Sequence, residues 1–168
     1  MIVRDARPQD ALAVAGVHVR SWQAAYRGLF PDAFLDSLSA EQRAARYTLG
    51  SPDPSAPRTV LAVAGATVLG FATTGPSRDE DVREAGELYA LYVDPPRWGT
   101  GVGRTLMRHA YANLRELGVQ EALLWVLVGN ASAVRFYSSE GWRADGARRL
   151  EDPWGIEAQV ERYRRALE

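Results

Sequence analysis

The chain has no cysteine among its 168 residues. That excludes disulfides, thiolate nucleophiles and cysteine metal sites. Lysine is also absent, all twenty basic residues being arginine, so no Walker A loop can form, because its lysine must reach the terminal phosphates. We read the arginine bias as the codon usage of a genome rich in guanine and cytosine. No stretch approaches the roughly 18 consecutive apolar residues that a membrane helix needs. Met1 to Asp5 passes straight into strand-like sequence, with no basic segment, apolar run and cleavage site of an export signal. These absences predict a soluble cytoplasmic protein with no membrane partner. A formal net charge of −1, with arginine and acid spread along the chain, leaves no basic field to hold nucleic acid.

What is present fits one α/β domain spanning residues 1–168: 46% hydrophobic and 24% charged residues, near the averages for globular chains. Ile2 to Ala6 reads as a strand, and Pro8 to Tyr26 as a helix with proline in its first turn. Two helical pieces follow within Pro31 to Leu49, the second opened by a Ser39 to Gln42 capping pattern. Arg58 to Ala64 and Thr67 to Thr74 form a hairpin around Gly65-Ala66. Gly75 to Ala85, polar and acidic, reads as a mobile connection. Glu87 to Val93 is a strand. Gly101 to Leu117 is an amphipathic helix carrying Val102, Leu106, Ala110 and Leu114 on one face, stopped by Gly118. A strand over Ala122 to Val128, a helix from Asn130 to Glu140 and strands near Trp142 to Ala147 and Ala158 to Arg164 complete the chain. The central strand, helix and strand predict a parallel pair joined by a right-handed crossover. The expected fold is a mixed, mainly antiparallel sheet of about seven strands with flanking helices.

The most informative segment is Leu91 to Arg104, a strand leading through Pro95-Pro96 into Trp98-Gly99-Thr100-Gly101-Val102-Gly103-Arg104. Alternating glycines let backbone N–H groups approach a ligand closely, and the helix start adds unpaired donors and partial positive charge. This is a phosphate cradle, with Arg97 and Arg104 flanking it. A second pattern lies downstream: Asn130, Ala133, Phe136, Tyr137, Gly141 and Trp142.

Together these segments resemble the GNAT acetyltransferase superfamily. Its first motif is a strand, proline, then [Gln/Arg]-x-x-Gly-x-[Gly/Ala] opening a helix. Its second is Asn-x-x-Ala-x-x-Phe-Tyr-x-x-x-Gly-[Phe/Trp]. The first motif departs at one place, where Trp98 replaces Gln or Arg in a position that contributes mainly its backbone N–H. The resemblance covers Glu87 to Trp142 and implies a sheet splayed at the parallel pair, with direct acetyl transfer from acetyl-CoA to a small-molecule or peptide amine and no metal. It implies that the Leu91, Tyr92 and Val93 backbone pairs with the pantetheine arm and polarises the acetyl carbonyl, and that the turn from Trp98 to Arg104 holds the pyrophosphate. Asn130, Ala133 and Phe136 would meet the cofactor arm. Tyr137 would protonate the departing thiolate, since a phenol of pKa about 10 suits a thiol of pKa about 8.5. Glu87 would accept the amine's proton, often through water, with Glu84 as a substitute.

Trp22 and Tyr26 follow His18 at helical spacing, and Phe30 lies just beyond. They are candidates for the acceptor pocket, although such a stripe also suits a core. His109 is expected on an exposed face. A noncatalytic acyl-CoA-binding module is the alternative reading, and the resemblance also allows a homodimer paired through the C-terminal strands.

Overall fold

The computed structural model describes residues 1–168, leaving aside the Pro153 side chain. Seven strands build one sheet in the order β1-β2-β3-β4-β5-β7-β6. They are β1 (Ile2–Asp5), β2 (Arg58–Ala64), β3 (Thr67–Pro76), β4 (Gly86–Val93), β5 (Glu121–Leu127), β6 (Arg143–Glu151) and β7 (Ala158–Ala166). All neighbours are antiparallel except β4 and β5, which the crossover helix between them forces to run parallel. The helices are α1 (Ala11–Ala25), α2 (Asp32–Asp36), α3 (Ala40–Ala44), α4 (Val102–Glu116) and α5 (Ala131–Ser139). Pro8 opens a separate 3-10 turn before α1, and the Ser39 side chain caps α3 by accepting from the Gln42 N–H at 3.2 Å.

Period-two alternation divides the core into two layers. Val60 and Ala62 of β2 pack with Leu106, Met107, Ala110 and Leu114 of α4. Leu61 and Val63 point the other way and pack with Val14 and Val17 of α1. The side chains of α5 join the α4 layer, so α1 has the opposite face of the sheet.

Two irregularities position the site. In β4, Ala90 lies opposite Thr73 and Leu88 opposite Thr74, which leaves Tyr89 as an extra residue. Such a bulge bends its strand and increases its twist. On the other side, β4 meets β5 only at Gly86 with Ala122 and Glu87 with Leu123. Beyond those pairs the strands part.

The connection from Gly75 to Ala85 is anchored, contrary to its expected mobility. Strand β3 continues to Pro76, a 3-10 turn occupies Glu80–Val82, and Asp79 is buried beneath it with its side chain only 3% exposed. That carboxylate accepts from Trp125 Nε1 at 3.0 Å, Arg149 Nη1 at 2.8 Å and Arg162 Nη1 at 3.0 Å. An acidic segment reads as solvated in sequence, but here its charges meet arginines from β6 and β7. Strand β6 also runs past its expected end at Ala147 to Glu151. An irregularity between Ala144 and Arg148, with Gly146 at a φ of 90°, carries the strand through residues that resemble a turn.

His18 is a core residue. It is buried, its Nδ1 lies 2.5 Å from the Tyr47 hydroxyl, and burial, with Arg43 nearby, lowers its pKa well below the usual value. The folded protein therefore binds fewer protons here than the unfolded chain once pH falls below about 6.5. Stability contributed by neutral His18 is present above that pH and is lost on acidification, at up to about 1.4 kcal/mol per pH unit. Melting temperatures between pH 7 and pH 5 should fall less steeply in a His18→Gln variant; an unchanged slope would remove His18 as the cause.

Candidate active site

A cavity of about 610 Å³ fills the wedge between β4 and β5. Its walls are Leu88 to Val93 of β4, Leu124 to Leu127 of β5, the turn before α4, the start of α5 and the end of α1.

The turn forms the outer end. Gly99 and Gly101 have φ values of 75° and 89°, a left-handed conformation that costs other residues roughly 1–2 kcal/mol. The N–H groups of Gly99, Gly101, Val102, Gly103 and Arg104 find no partner among the described residues, because the first bond into α4 runs from the Thr105 N–H to the Gly101 carbonyl. Unpaired donors, the helix dipole and Arg97 and Arg104 on the cavity wall make this an anion cradle. Arg104 also pairs with Glu140 at 3.1 Å. Trp98 is half exposed and donates from Nε1 to the Val93 carbonyl at 2.8 Å.

The middle of the cavity is an open strand edge. Backbone groups of alternate residues in an antiparallel pair point to opposite edges, and the Asp94 N–H donates to the Leu69 carbonyl of β3 at 2.8 Å. Leu91 and Val93 therefore present their backbone to the wedge, whereas the Tyr92 backbone faces β3. The Val93 carbonyl is taken by Ser21 Oγ at 2.9 Å and by Trp98, leaving its N–H and the Leu91 groups open.

At the inner end, Tyr26, Tyr92, Asn130 and Tyr137 all reach the wall. The Tyr92 hydroxyl accepts from Trp22 Nε1 at 3.1 Å. Asn130 caps α5, its Oδ1 accepting from the Ala133 N–H at 3.2 Å, and it still borders the cavity. Burial raises the Tyr137 pKa, and the neighbouring Tyr92 and Tyr111 add to the shift. Burial, followed by the neighbouring Tyr92, raises that of Tyr26 well above its ordinary value. Burial also raises that of Tyr92. All three phenols are held protonated at neutral pH.

The structure thus brings Leu91, Tyr92, Val93, Trp98, Gly99, Gly101, Gly103, Arg104, Asn130, Ala133, Phe136, Tyr137 and Tyr26 to one cavity. Five candidates fall elsewhere. Val102 turns its side chain into the α4 core and offers only its N–H, while the Thr100 hydroxyl donates to the Arg97 carbonyl at 2.6 Å. Trp22 and Phe30 stack in a buried layer behind Tyr26. Glu87 is 1% exposed, and its oxygens accept from Arg78 Nη2 at 2.7 Å and the Arg78 N–H at 2.9 Å. It lies before the bulge, outside the wedge. Sequence reasoning missed Ser21, Ala24, Ala25, Tyr89 and Trp125 on the wall. Trp125 was readable, because strand alternation sets it opposite Leu124; Tyr89 depends on a bulge with no sequence signature.

The model of the acetyltransferase (GNAT) family matches residues 19–142. An uncharacterized N-acetyltransferase of Bacillus subtilis, YuaI, is 32% identical over 144 residues, covering 82% of this chain and 77% of that protein. A mycothiol acetyltransferase of Geodermatophilus obscurus is 40% identical over 67 residues, 40% of this chain but only 22% of that protein. The crystal structure of the PaiA N-acetyltransferase of Thermoplasma acidophilum in complex with coenzyme A superimposes with a TM-score of 0.71 at 23% identity, over 95% of this chain and 96% of that one. With the family model spanning most of its length and the wedge between β4 and β5 in place, the chain belongs to the acetyltransferase (GNAT) family and is an acyltransferase.

Proposed function

We propose that the protein moves an acetyl group from acetyl-CoA directly to a primary amine of a small molecule or peptide. One observation carries this reading: a single cavity joins an anion cradle, an open strand edge and a protonated phenol in that order. The residues fit the cosubstrate. Unpaired N–H groups from Gly99 to Arg104 would hold the pyrophosphate, and the Leu91 and Val93 backbone would pair with the amide-bearing arm. When bound, acetyl-CoA supplies the acyl group as a thioester.

The remaining chemistry belongs to the chain. The open β4 edge aims fixed backbone dipoles at the carbonyl oxygen, where charge develops as the amine attacks. The amine nitrogen forms its bond to the carbonyl carbon, the carbon–sulfur bond breaks as the Tyr137 hydroxyl gives its proton to the sulfur, and the proton that the nitrogen sheds on becoming an amide returns through water to the Tyr137 phenolate. An amine of pKa about 10 must first lose a proton at neutral pH, and we assign that proton to water. Glu87, held by Arg78 outside the wedge, does not meet the amine.

Calorimetry with acetyl-CoA and thiol release with a broad amine panel test this. Binding and turnover are expected. Gly101→Val, which forces a β-branched residue into a left-handed conformation, should weaken acetyl-CoA binding at least about tenfold. Absence of thiol release with every amine would sink the reading.

A further inference from the structure

Among the described residues, the wall of the wedge carries six ionisable side chains: Arg97 and Arg104 in the cradle, and the phenols of Tyr26, Tyr89, Tyr92 and Tyr137. The arginines are permanent cations and have no lone pair to offer a proton. Two of the phenols are already engaged: Tyr89 donates to the Pro76 carbonyl at 2.5 Å, and the Tyr92 hydroxyl accepts from Trp22 Nε1 at 3.1 Å. Burial raises the pKa of all four phenols, so each holds its proton at neutral pH. The carboxylates that adjoin wall residues lie off the wall, and arginine holds each. Glu87 precedes Leu88 and meets Arg78; Asp94 follows Val93 and meets Arg20. Asp79 accepts from Trp125 and from Arg149 and Arg162, and Glu140 accepts from Arg104. Glu151 pairs with Arg149, whose guanidinium covers the Trp125 ring at 3.9 Å. His18 packs on Tyr92 with centroids 4.4 Å apart, but its Nδ1 is bonded to Tyr47 and its ring belongs to the core.

The proton balance of the transfer then decides which form of the amine reacts. A neutral primary amine brings two protons on its nitrogen. One stays in the amide, and the other replaces the proton that Tyr137 gives to the sulfur, so a neutral amine needs no further base. An ammonium brings a third proton, and no group on the wall accepts it. The wedge depends on the neutral amine that solvent supplies. At pH 7 an α-amino group of pKa about 7.7–8.0 is neutral in about one molecule in ten, and an alkylammonium of pKa about 10.4 in roughly one in 2,500.

We propose that the acceptor nitrogen is the α-amino group of a peptide, or of an amino-acid amide or ester, rather than a lysine side chain or a polyamine. The carbonyl beside such a nitrogen withdraws electrons from it and leaves its lone pair free at neutral pH. A less basic nitrogen is also a weaker nucleophile, which offsets part of the roughly 200–400-fold gain in neutral fraction. This names the acceptor class of the transfer site and rests on the acetyl-transfer reading above.

The test compares alaninamide with 1,2-dimethylpropylamine, an alkylamine of the same branching and size, by thiol release from about pH 6.5 to about pH 10. At neutral pH alaninamide should be used at least about tenfold better in kcat/KM for total amine, and that advantage should shrink at least about tenfold by pH 10. Its rate should level off near pH 8 while that of the alkylamine still climbs at pH 10. Titration of both amines into the CoA-loaded protein, followed by tryptophan fluorescence, gives a second readout: affinity for total alkylamine should rise at least about tenfold between pH 7 and pH 9. An advantage that stays constant with pH reports contact with the carbonyl and overturns the proposal. One inflection common to both amines marks a base on the protein and overturns it too. In Glu87→Gln the alaninamide inflection should stay where the parent has it; a displaced inflection makes Glu87 that base. Failure of every amine to release thiol overturns acetyl transfer instead. In that case a titration that follows the neutral amine still supports the proposal, whereas one that favours the ammonium overturns it.

Discussion

Replacing Tyr137 with phenylalanine should lower the turnover number about 10²–10³-fold while acetyl-CoA affinity changes less than about threefold, because a positioned general acid contributes on the order of 10²–10⁴-fold. The ring's packing beside Trp142 and against the α4 core survives in phenylalanine, so only the proton is removed. The direction of the pKa shift adds a second signature. Burial keeps the phenol protonated above its ordinary value of about 10, so the parent's rate should not fall between pH 8 and pH 10 through loss of this proton. Any rise over that range reports amine deprotonation, and it should persist in the variant at a lower level. Turnover in Tyr137→Phe within a factor of three of the parent would remove Tyr137 from the chemistry.

The second large effect is structural. Asp79→Ala should destabilise the fold by about 3 kcal/mol, the low end of what removing one partner from a buried ion pair costs. It is the low end because Arg162 retains Asp81 and Asp145 and Arg149 retains Glu151. For a chain of this size that corresponds to a fall of about 6–12 °C in Tm, measurable by calorimetry. Asp79→Asn, which keeps an acceptor for Trp125, should lie between the two. A loss below about 1 kcal/mol would show that the arginines and the indole find water or other carboxylates when Asp79 is gone.

Much of the site was legible because its parts are local. Glycine at positions 99 and 101 announces a turn that needs positive φ, and Asn130 announces a helix cap whatever else it does. What was illegible depends on distant partners. Nothing near Asp79 in sequence indicates that Arg149 and Arg162, 70 and 83 residues away, will meet it. Helical spacing set Trp22 and Tyr26 on one face of α1, but which of them reaches the wedge is decided by Trp154 and Phe30 packing over Trp22. Glu87 sits in a strand that alternates as a good strand should, and its enclosure by Arg78 becomes visible only once the connection folds back over it.

The brief pairing of β4 with β5 has a mechanical meaning. Two residue pairs join a four-stranded half-sheet to a three-stranded one, so the sheet is shaped like a pair of calipers joined where Gly86 and Glu87 meet β5. Asp79 ties the connection before β4 to Trp125, Arg149 and Arg162 on the other arm, which sets how far the jaws stand apart. The buried carboxylate of Asp79 therefore also gauges the width of the wedge between β4 and β5.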